Sequence, residues 1–339
     1  MNPLLTIAIP TYNRSEYLDI NLGAIYNQIM EINRSDIEII VSDNSSDKKT
    51  ERIVEKYNKQ NLNINYIKNK TNIGSDCNVA QCFNLAKGKY VHIFCDDDLY
   101  TPGSLKKIME LVKSKDYGMI YVRPYGFVNN PKKEYPSIKF GRNKELKNTI
   151  FIKKIATHLT LASCCIFNKS CINKIDANQY CGSNLVQLHI YIQSIMRKEK
   201  SYYFSDYMVS YKKDNSGGYN LFKVFAKNFG DILNLYVNEN IITYEIKRKI
   251  ESKIIFCFFP IYIKRSLEQK ESNMIQIYDI LKEQYSGYKI FTICLAPMFS
   301  RFKSFSLFWA NIMTILGRLY NGDISLGLIY LKKYFRGKY

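Results

Sequence analysis

The chain has 339 residues, of which 46% are hydrophobic, and a formal net charge of +19. This length and apolar content allow a sizeable core and two domains, and they exclude a disordered chain. Nine cysteines, an odd number with no CxxC pair and no metal-ligand spacing, exclude a disulfide scaffold and read as reduced, mostly buried thiols of a cytosolic protein.

The charge is unevenly placed. Residues 1–120 hold fifteen Lys+Arg and fifteen Asp+Glu, so the whole excess falls in residues 121–339. A basic, aromatic-rich second part predicts a polyanionic partner: a membrane surface, nucleic acid or a phosphorylated substrate. No RNA- or DNA-binding motif accompanies it, which argues against nucleic acid. The apolar run at the N-terminus is far too short for a signal peptide. No uncharged, predominantly apolar stretch reaches the ~18–20 residues that cross a bilayer; the longest candidate runs from Ser304 to Gly317.

The first 120 residues alternate between strand and helix patterns. Leu4–Ile9 is an apolar run stopped by Pro10 and predicts a buried strand. A helix follows with Ser15 as cap and Leu18, Leu22, Ile25 and Ile29 at helical spacing. Ile37–Ser42 predicts a second strand, then a polar helix, then a third strand at Ile64–Lys68. The next helix has Ser75 or Asp76 as cap and Gly88 as its stop. Lys89–Cys95 is a fourth strand. Thr101 caps another helix, with Pro102 in its first turn, and Tyr117–Val122 is a fifth strand.

Such alternation predicts an α/β fold: a doubly wound, mainly parallel sheet with helices on both faces. Ligands of such sheets bind outside the carboxyl ends of the strands. Three polar loops fall there: "PTYNR", "DNSSD" and "CDDDL". Residues 124–150 read as loop and residues 151–213 as mixed. From about Leu221 the chain reads as helical, with Leu221, Phe222, Phe225, Phe229, Ile232, Leu233 and Tyr236 on one stripe. The expected organisation is a catalytic domain over 1–215, split into a ligand-binding half (1–120) and an acceptor-side half (121–215). A helical, basic, aromatic region follows over 216–339.

Asp96, Asp97 and Asp98 stand together at the exit of a buried strand. Adjacent carboxylates raise each other's pKa unless a cation sits among them. Two carboxylates so placed suit Mg²⁺ or Mn²⁺, ions that complete their octahedron with phosphate oxygens.

The segments "TIAIPTYNR", "IIVSDNSSD", "NKTNIGSDCNVAQCFNLAKGKYVHIFCDDDL" and "TPGSL", in this order and spacing, resemble the inverting family-2 glycosyltransferases. The likeness covers residues 4–114. It implies the glycosyltransferase A fold, which is Rossmann-like, and transfer of a sugar from a nucleotide donor to a hydroxyl with a divalent metal. Carried over by position, Pro10, Thr11 and Tyr12 lie against the base, with Arg14 beside them on the donor. Asp43 hydrogen-bonds the base, and Asn72, Gly74 and Asn78 close over the nucleotide. The acidic triplet is the metal motif. Many members carry Asp where this chain has Cys95, so two registers stand: Asp96 as ribose partner with Asp97 on the metal, or Asp96 and Asp98 on the metal.

The resemblance also implies a general base some way after the metal motif, often within a Glu-Asp pair. No such pair occurs in Cys181–Lys198. His189 is the candidate base there, with an ordinary imidazole pKa of about 6.5 suited to the task, and Asp98 joins it as a catalytic candidate. Asp176 is the runner-up. The other two histidines fit the role of base less well: His92 lies inside a strand, and His158, in an apolar stretch, reads as a packing or acceptor-side residue. Lys212 or Lys213 matches the family's basic residue on the diphosphate, and the Ser-Gly-Gly run after them suits a lid.

The tail joins Phe302, Phe305, Phe308, Trp309 and Ile312 to Arg301, Lys303 and Arg318, and "YLKKYFRGKY" adds more cations and aromatics. Aromatic anchors with basic flanks suit an anionic membrane surface. The expectation is an enzyme at the inner face of the cytoplasmic membrane, acting on a lipid-diphosphate-linked glycan of the O-antigen or capsule kind. The narrower likeness is to the abequosyltransferase-like group. The alternatives are an inactive glycan-binding or scaffold protein of the same fold and a nucleotidyltransferase. The latter is disfavoured because "PTYNRS" has no glycine.

Overall fold

The computed structural model describes residues 2–137, 141–213 and 218–323. It divides into two compact units. The first draws on Met1–Tyr135, Gly141–Phe151 and His158–Gly217, the second on Pro136–Phe140, Ile152–Thr157 and Gly218–Tyr339.

The first unit begins with strand β1 (Leu5–Thr11), helix α1 (Ser15–Ile29), β2 (Ile37–Asp43), α2 (Lys49–Asn58), β3 (Ile64–Lys68), α3 (Ser75–Leu85) and β4 (Tyr90–Ile93). A short β5 (Leu99–Tyr100), α4 (Ser104–Ser114), β6 (Met119–Phe127), β7 (Lys144–Lys147) and α5 (Asn148–Ile155, divided between the two units after Phe151) follow. Then come β8 (Cys165–Asn168), α6 (Val186–Met196) and β9 (Lys200–Lys212).

The strands make one sheet in the order β3-β2-β1-β4-β8-β6-β9-β5, with β7 paired to β9. The β3-β2-β1-β4 half is entirely parallel. Leu5, Ile7 and Ile9 of β1 and Ile39 and Val41 of β2 alternate onto one face. There they meet Leu18, Leu22 and Ile25 of α1 and Leu105, Ile108 and Val112 of α4, which is the two-residue period of a strand against the helical period. The expected α/β sheet with helices is therefore present.

Three strands depart from the expectations. β6 runs on to Phe127, and β7 lies inside the stretch read as loop. β8 inserts antiparallel between β4 and β6. These segments are short or carry Tyr, Lys and Ser in no clean alternation, so pairing rather than pattern makes them strands.

The helix caps also differ. Gly74, not Ser75 or Asp76, is the residue before α3, with φ of 84°. A Cβ at Gly74 would touch nothing, so the left-handed backbone alone asks for glycine. At the other end of α3, Lys169 places its ammonium on the carbonyls of Phe83 (2.5 Å), Asn84 (3.2 Å) and Ala86 (2.6 Å). A cation there complements the helix dipole.

The second unit is helical. A π-helical stretch (Lys223–Asn228) leads into α7 (Phe229–Asn238), followed by α8 (Tyr244–Cys257), α9 (Phe259–Glu268), α10 (Met274–Tyr285) and α11 (Lys303–Asn321). Phe222, Phe225, Phe229, Ile232, Leu233 and Tyr236 are buried. Inside the unit, Glu251 of α8 accepts from Lys247 at 2.7 Å and from the Tyr288 hydroxyl. Gly317 seats α11 directly on α8: a Cβ there would lie 2.6 Å from the Phe256 carbonyl. Among the described residues no helix is long and apolar enough to cross a membrane.

Candidate functional site

The carboxyl ends of β1, β2 and β4 lie side by side, and the three polar loops emerge there. After β4 the chain turns sharply, with Asp98 N–H donating to the Cys95 carbonyl at 3.2 Å. Asn21 of α1 clamps this turn from below, its amide donating to the carbonyls of Cys95 (3.1 Å) and Asp98 (2.6 Å). From the other side the Ser163 hydroxyl accepts from Cys95 N–H at 2.9 Å. Beneath lies His92, buried on β4, between the Tyr100 hydroxyl (2.6 Å) and the Ser163 carbonyl (3.0 Å). The carbonyl can only accept, so Nε2 carries the proton and Nδ1 accepts from Tyr100. Burial pushes the His92 pKa down to about 4. Sequence reasoning missed Asn21 and Ser163 because an isolated Asn or Ser carries no motif.

The three aspartates have different surroundings. Asp96 is buried; Thr11 Oγ1 donates to its Oδ2 at 2.6 Å, and Arg14 lies 3.4 Å from its Oδ1. Arg14 also pairs with Asp97 at 3.5 Å. Part of the cation that the triplet requires is thus a side chain of the same loop. Burial raises the Asp96 pKa to about 6, with Thr11 and Arg14 opposing the rise. Asp98 is buried and accepts from Lys212 N–H at 3.1 Å; burial, then the charge of Asp97, pushes its pKa up.

A donor set for a dication exists here, in a register neither alignment named. Ligand atoms of Cys95, Asp97 and Asp98 all lie within 4.8 Å of one another. Asp96 instead turns its oxygens to Thr11 and Arg14. The carboxylates of Asp97 and Asp98 are hard oxygen donors that fit Mg²⁺ or Mn²⁺, while burial favours the neutral thiol of Cys95.

On the neighbouring strand, Asp43 is fully buried. Its Oδ1 accepts from Ser45 N–H at 2.7 Å and its Oδ2 from the Tyr66 hydroxyl at 2.8 Å, with Lys68 at 3.4 Å. Asn78 ties β2 to α3, donating to the Ser42 carbonyl at 3.0 Å and accepting from the Ser42 hydroxyl at 2.5 Å. Asn72 Oδ1 accepts from Gly74 N–H at 2.9 Å, and the Gly74 carbonyl accepts from Asn44 at 3.2 Å. Pro10 is half-buried and Tyr12 is exposed on the rim.

Other expected residues lie elsewhere or act differently. His189 stacks on Tyr180 at 4.1 Å, and burial lowers its pKa to about 4, so the ordinary imidazole pKa expected of a base is corrected. Asp176 accepts from Asn178 N–H at 3.0 Å and Asn84 at 2.8 Å, as a cap. His158 bonds the Tyr121 hydroxyl at 3.2 Å. The ammonium of Lys212 turns to the Val128 carbonyl and lies over the Phe127 ring, so only its backbone N–H meets the acidic turn. Lys213 N–H donates to the Phe127 carbonyl at 2.9 Å. The Ser-Gly-Gly lid (apart from Gly218) and the Tyr330–Tyr339 segment lie outside the described residues.

Asp76 holds the head of α6, where the Glu-Asp pair was sought. It accepts from the backbone N–H groups of Gly182 (2.9 Å), Asn184 (2.6 Å) and Val186 (3.5 Å). Burial raises its pKa against these three donors.

Comparison with known proteins agrees with this arrangement. The model of glycosyl transferase family 2 matches residues 6–176, half of the chain. Abequosyltransferase RfbV of Salmonella typhimurium is 40% identical over 113 residues, 33% of this chain and 33% of its own. The GalNAc(5)-diNAcBac-PP-undecaprenol beta-1,3-glucosyltransferase of Campylobacter jejuni is 26% identical over 205 residues, 59% of this chain and 62% of its own. The matched part thus spans between a third and about three fifths of the length of these curated relatives. Among solved structures, S. aureus TarS 1-349 in complex with UDP-GlcNAc superposes with a TM-score of 0.61 at 16% identity, covering 98% of this chain and 92% of that TarS fragment. The mannosyltransferase PcManGT of Pyrobaculum calidifontis, in complex with GDP-Man and Mn2+, gives 0.53 at 13% identity, covering 93% and 88%. These two likenesses establish the fold.

Proposed function

The chain belongs to glycosyl transferase family 2 and is a glycosyltransferase; on that premise we propose that it moves one sugar, with inversion, from a nucleotide-sugar donor to a hydroxyl of a lipid-linked glycan. The carrying observation is the acidic turn, clamped by Asn21 and Ser163 and faced by Thr11 and Arg14 at the carboxyl edge of the sheet.

In this reading Asp97 and Asp98, with Cys95 beside them, hold Mn²⁺ or Mg²⁺. When bound, such an ion stabilises the negative charge that develops on a departing nucleoside diphosphate. Thr11 and Arg14 hold Asp96 in one rotamer, directed to the donor's ribose. Asp43, with its bonds to Ser45 and Tyr66, and Asn78, locked on Ser42, form the wall against the base. The Asn72–Gly74 turn closes that wall. Pre-set hydrogen bonds of this kind cost no reorganisation when charge develops.

The acceptor assignment rests on likeness. A relative named for an undecaprenyl-diphosphate glycan and another named for abequosyl transfer support O-antigen or capsule assembly, with the enzyme peripheral on the inner face of the cytoplasmic membrane.

A panel of nucleotide sugars screened with Mn²⁺ or Mg²⁺ tests the reading. One donor should raise the melting temperature and release its nucleoside diphosphate, and Asp97→Ala should remove most of the shift. No shift with any donor would leave an inactive glycan-binding protein as the better account.

A further inference from the structure

Helix α11 is apolar on two sides. Its inner side, with Ser306, Ala310, Met313, Thr314 and Gly317, is buried in the second unit. Its outer side is not. Phe305, Phe308, Ile312, Leu316 and Leu319 fall within about 80° of one another at 3.6 residues per turn, and four of them are exposed, Phe305 and Phe308 by 44% and 45%. Phe302 and Tyr320 widen the stripe and are exposed by 61% and 70%. A run of large apolar side chains this long, left in water, marks an interaction surface.

Charge identifies the partner. From Phe291 to Gly322 the chain carries Arg301, Lys303 and Arg318 and no Asp or Glu. From there to Tyr339 it adds Lys332, Lys333, Arg336 and Lys338 against the single Asp323. An apolar stripe on a helix whose own charged residues are all cations is complementary to a negatively charged lipid surface. A second feature lies at the N-terminal end of α11. A groove of about 590 Å³ runs between Met274, Ile275, Tyr278, Met298 and Phe299, with Lys303 at its edge. Ile275 at this groove is exposed by 78%.

We infer that α11 is an interfacial helix: its outer stripe seats on an anionic lipid surface, and the groove beside Lys303 takes one hydrocarbon chain of a lipid whose phosphate meets Arg301 and Lys303. The helix is about 28 Å long at 1.5 Å per residue and lies flat, because a stripe running its whole length is immersed evenly only in that orientation. This deepens the reading of a lipid-linked acceptor and rests on it for its purpose, but not for its test.

Trp309, the chain's one tryptophan, sits at the edge of the stripe with its indole N–H on the Cys294 carbonyl at 3.2 Å, and so reports directly. The probe is vesicles of phosphatidylglycerol and phosphatidylcholine with brominated chains. Wild-type Trp309 emission should shift to the blue and be quenched, and salt should weaken the effect. Vesicles of phosphatidylcholine alone should quench far less. The double variant Phe305→Ser/Phe308→Ser should lose about tenfold in partitioning, and Ile275→Asp should reduce quenching by chain-brominated lipid, both at unchanged melting temperature. Absence of quenching by anionic vesicles overturns the inference. So does self-association that the double variant abolishes without any vesicle binding, which would make a second copy the occupant. A fall in melting temperature of the double variant without vesicle binding also overturns it, since the chain itself would then cover the stripe. The donor-dependent thermal shift is read in the same variants, so a failed membrane test leaves the transferase reading standing, and the reverse.

Discussion

Thr11 and Asp96 are joined across two parallel strands: the hydroxyl at the end of β1 donates to Oδ2 of the first aspartate after β4 at 2.6 Å. Both side chains are buried, so neither has water as a substitute partner. Thr11→Val keeps the shape and removes the donor, leaving a buried carboxylate short of one bond. Loss of a hydrogen bond to a charged buried group costs roughly 1–3 kcal/mol. Donor affinity, read by titration calorimetry, should fall about tenfold or more, and Thr11→Ser should recover most of it. Equal loss in both variants would mean that the methyl group, not the hydroxyl, matters.

His92 makes the first unit acid-labile. Its folded pKa is about 4, lowered by burial among Phe94, Tyr100 and the Ser163 carbonyl, while in an unfolded chain it is about 6.5. Between those values the unfolded state binds more protons, so stability rises with pH through this window and is lost as pH falls from 6.5 towards 4. The contribution lost at pH 4.5 is about 2–3 kcal/mol. Denaturant unfolding at pH 7 and pH 4.5 should therefore show a smaller pH dependence in His92→Gln than in wild type, although the variant starts from lower stability. Parallel pH curves would refute the assignment.

His189 should prove dispensable for proton transfer. A base with a pKa near 4 takes up a hydroxyl proton poorly at neutral pH, and its stacking on Tyr180 is that of a packing ring. His189→Phe should keep turnover within about tenfold, well short of the 10²–10⁴ that general acid–base catalysis supplies. A loss of a thousandfold with an unchanged melting temperature would restore it as the base.

What could be read in the sequence divides along the sheet. β1, β2 and β4 are parallel strands inside the sheet and mostly buried, so each appears as a short apolar run between polar loops, while β3 at the edge is only partly buried. The motif loops follow those runs directly, and Thr11, Asp43, Asn78 and the aspartates could therefore be placed by position. β7 and β9 are held by cross-strand pairing and leave no such run, and β8 is too short to be told from other short apolar segments by pattern. The charge logic of the triplet was only half legible: a cation was required, but that Arg14 supplies part of it depends on the turn through Asn13, whose φ of 53° brings the next residue back over the strand ends. That Cys95, Asp97 and Asp98 converge while Asp96 faces Thr11 and Arg14 depends on the turn after β4, and spacing cannot show it.

Lys169 illustrates a contact of the same hidden kind. It reaches from the end of β8 to three carbonyls at the end of α3, more than eighty residues earlier. Burial lowers its pKa and the charge of Glu38 opposes the fall, while the three carbonyls accept its hydrogen bonds. Lys169→Met should cost about 1–3 kcal/mol, the range for carbonyls left without a charged donor. Thermal unfolding reads the loss; an unchanged melting temperature would show that water replaces the ammonium.

Asp76 was expected to cap its own helix, yet its oxygens face the backbone of residues 182–186. This joins the start of α3, just after the Asn72–Gly74 turn, to the head of α6, which the proposed function reads as the nucleotide and acceptor sides. Asn184 adopts φ of 56° and Gly182 φ of 102°, a path that an uncapped loop would not keep. Asp76→Ala removes an N-terminal cap acting from another segment, worth roughly 0.5–2 kcal/mol. Limited proteolysis should then cut between Cys181 and Leu185 faster than in wild type. In the proposed reaction the KM for acceptor should rise while the donor-induced thermal shift stays. Asp76→Asn retains one acceptor oxygen and should fall between the two. If Asp76→Ala instead abolished donor binding and left the loop resistant, Asp76 would belong to the nucleotide wall and not to the acceptor side.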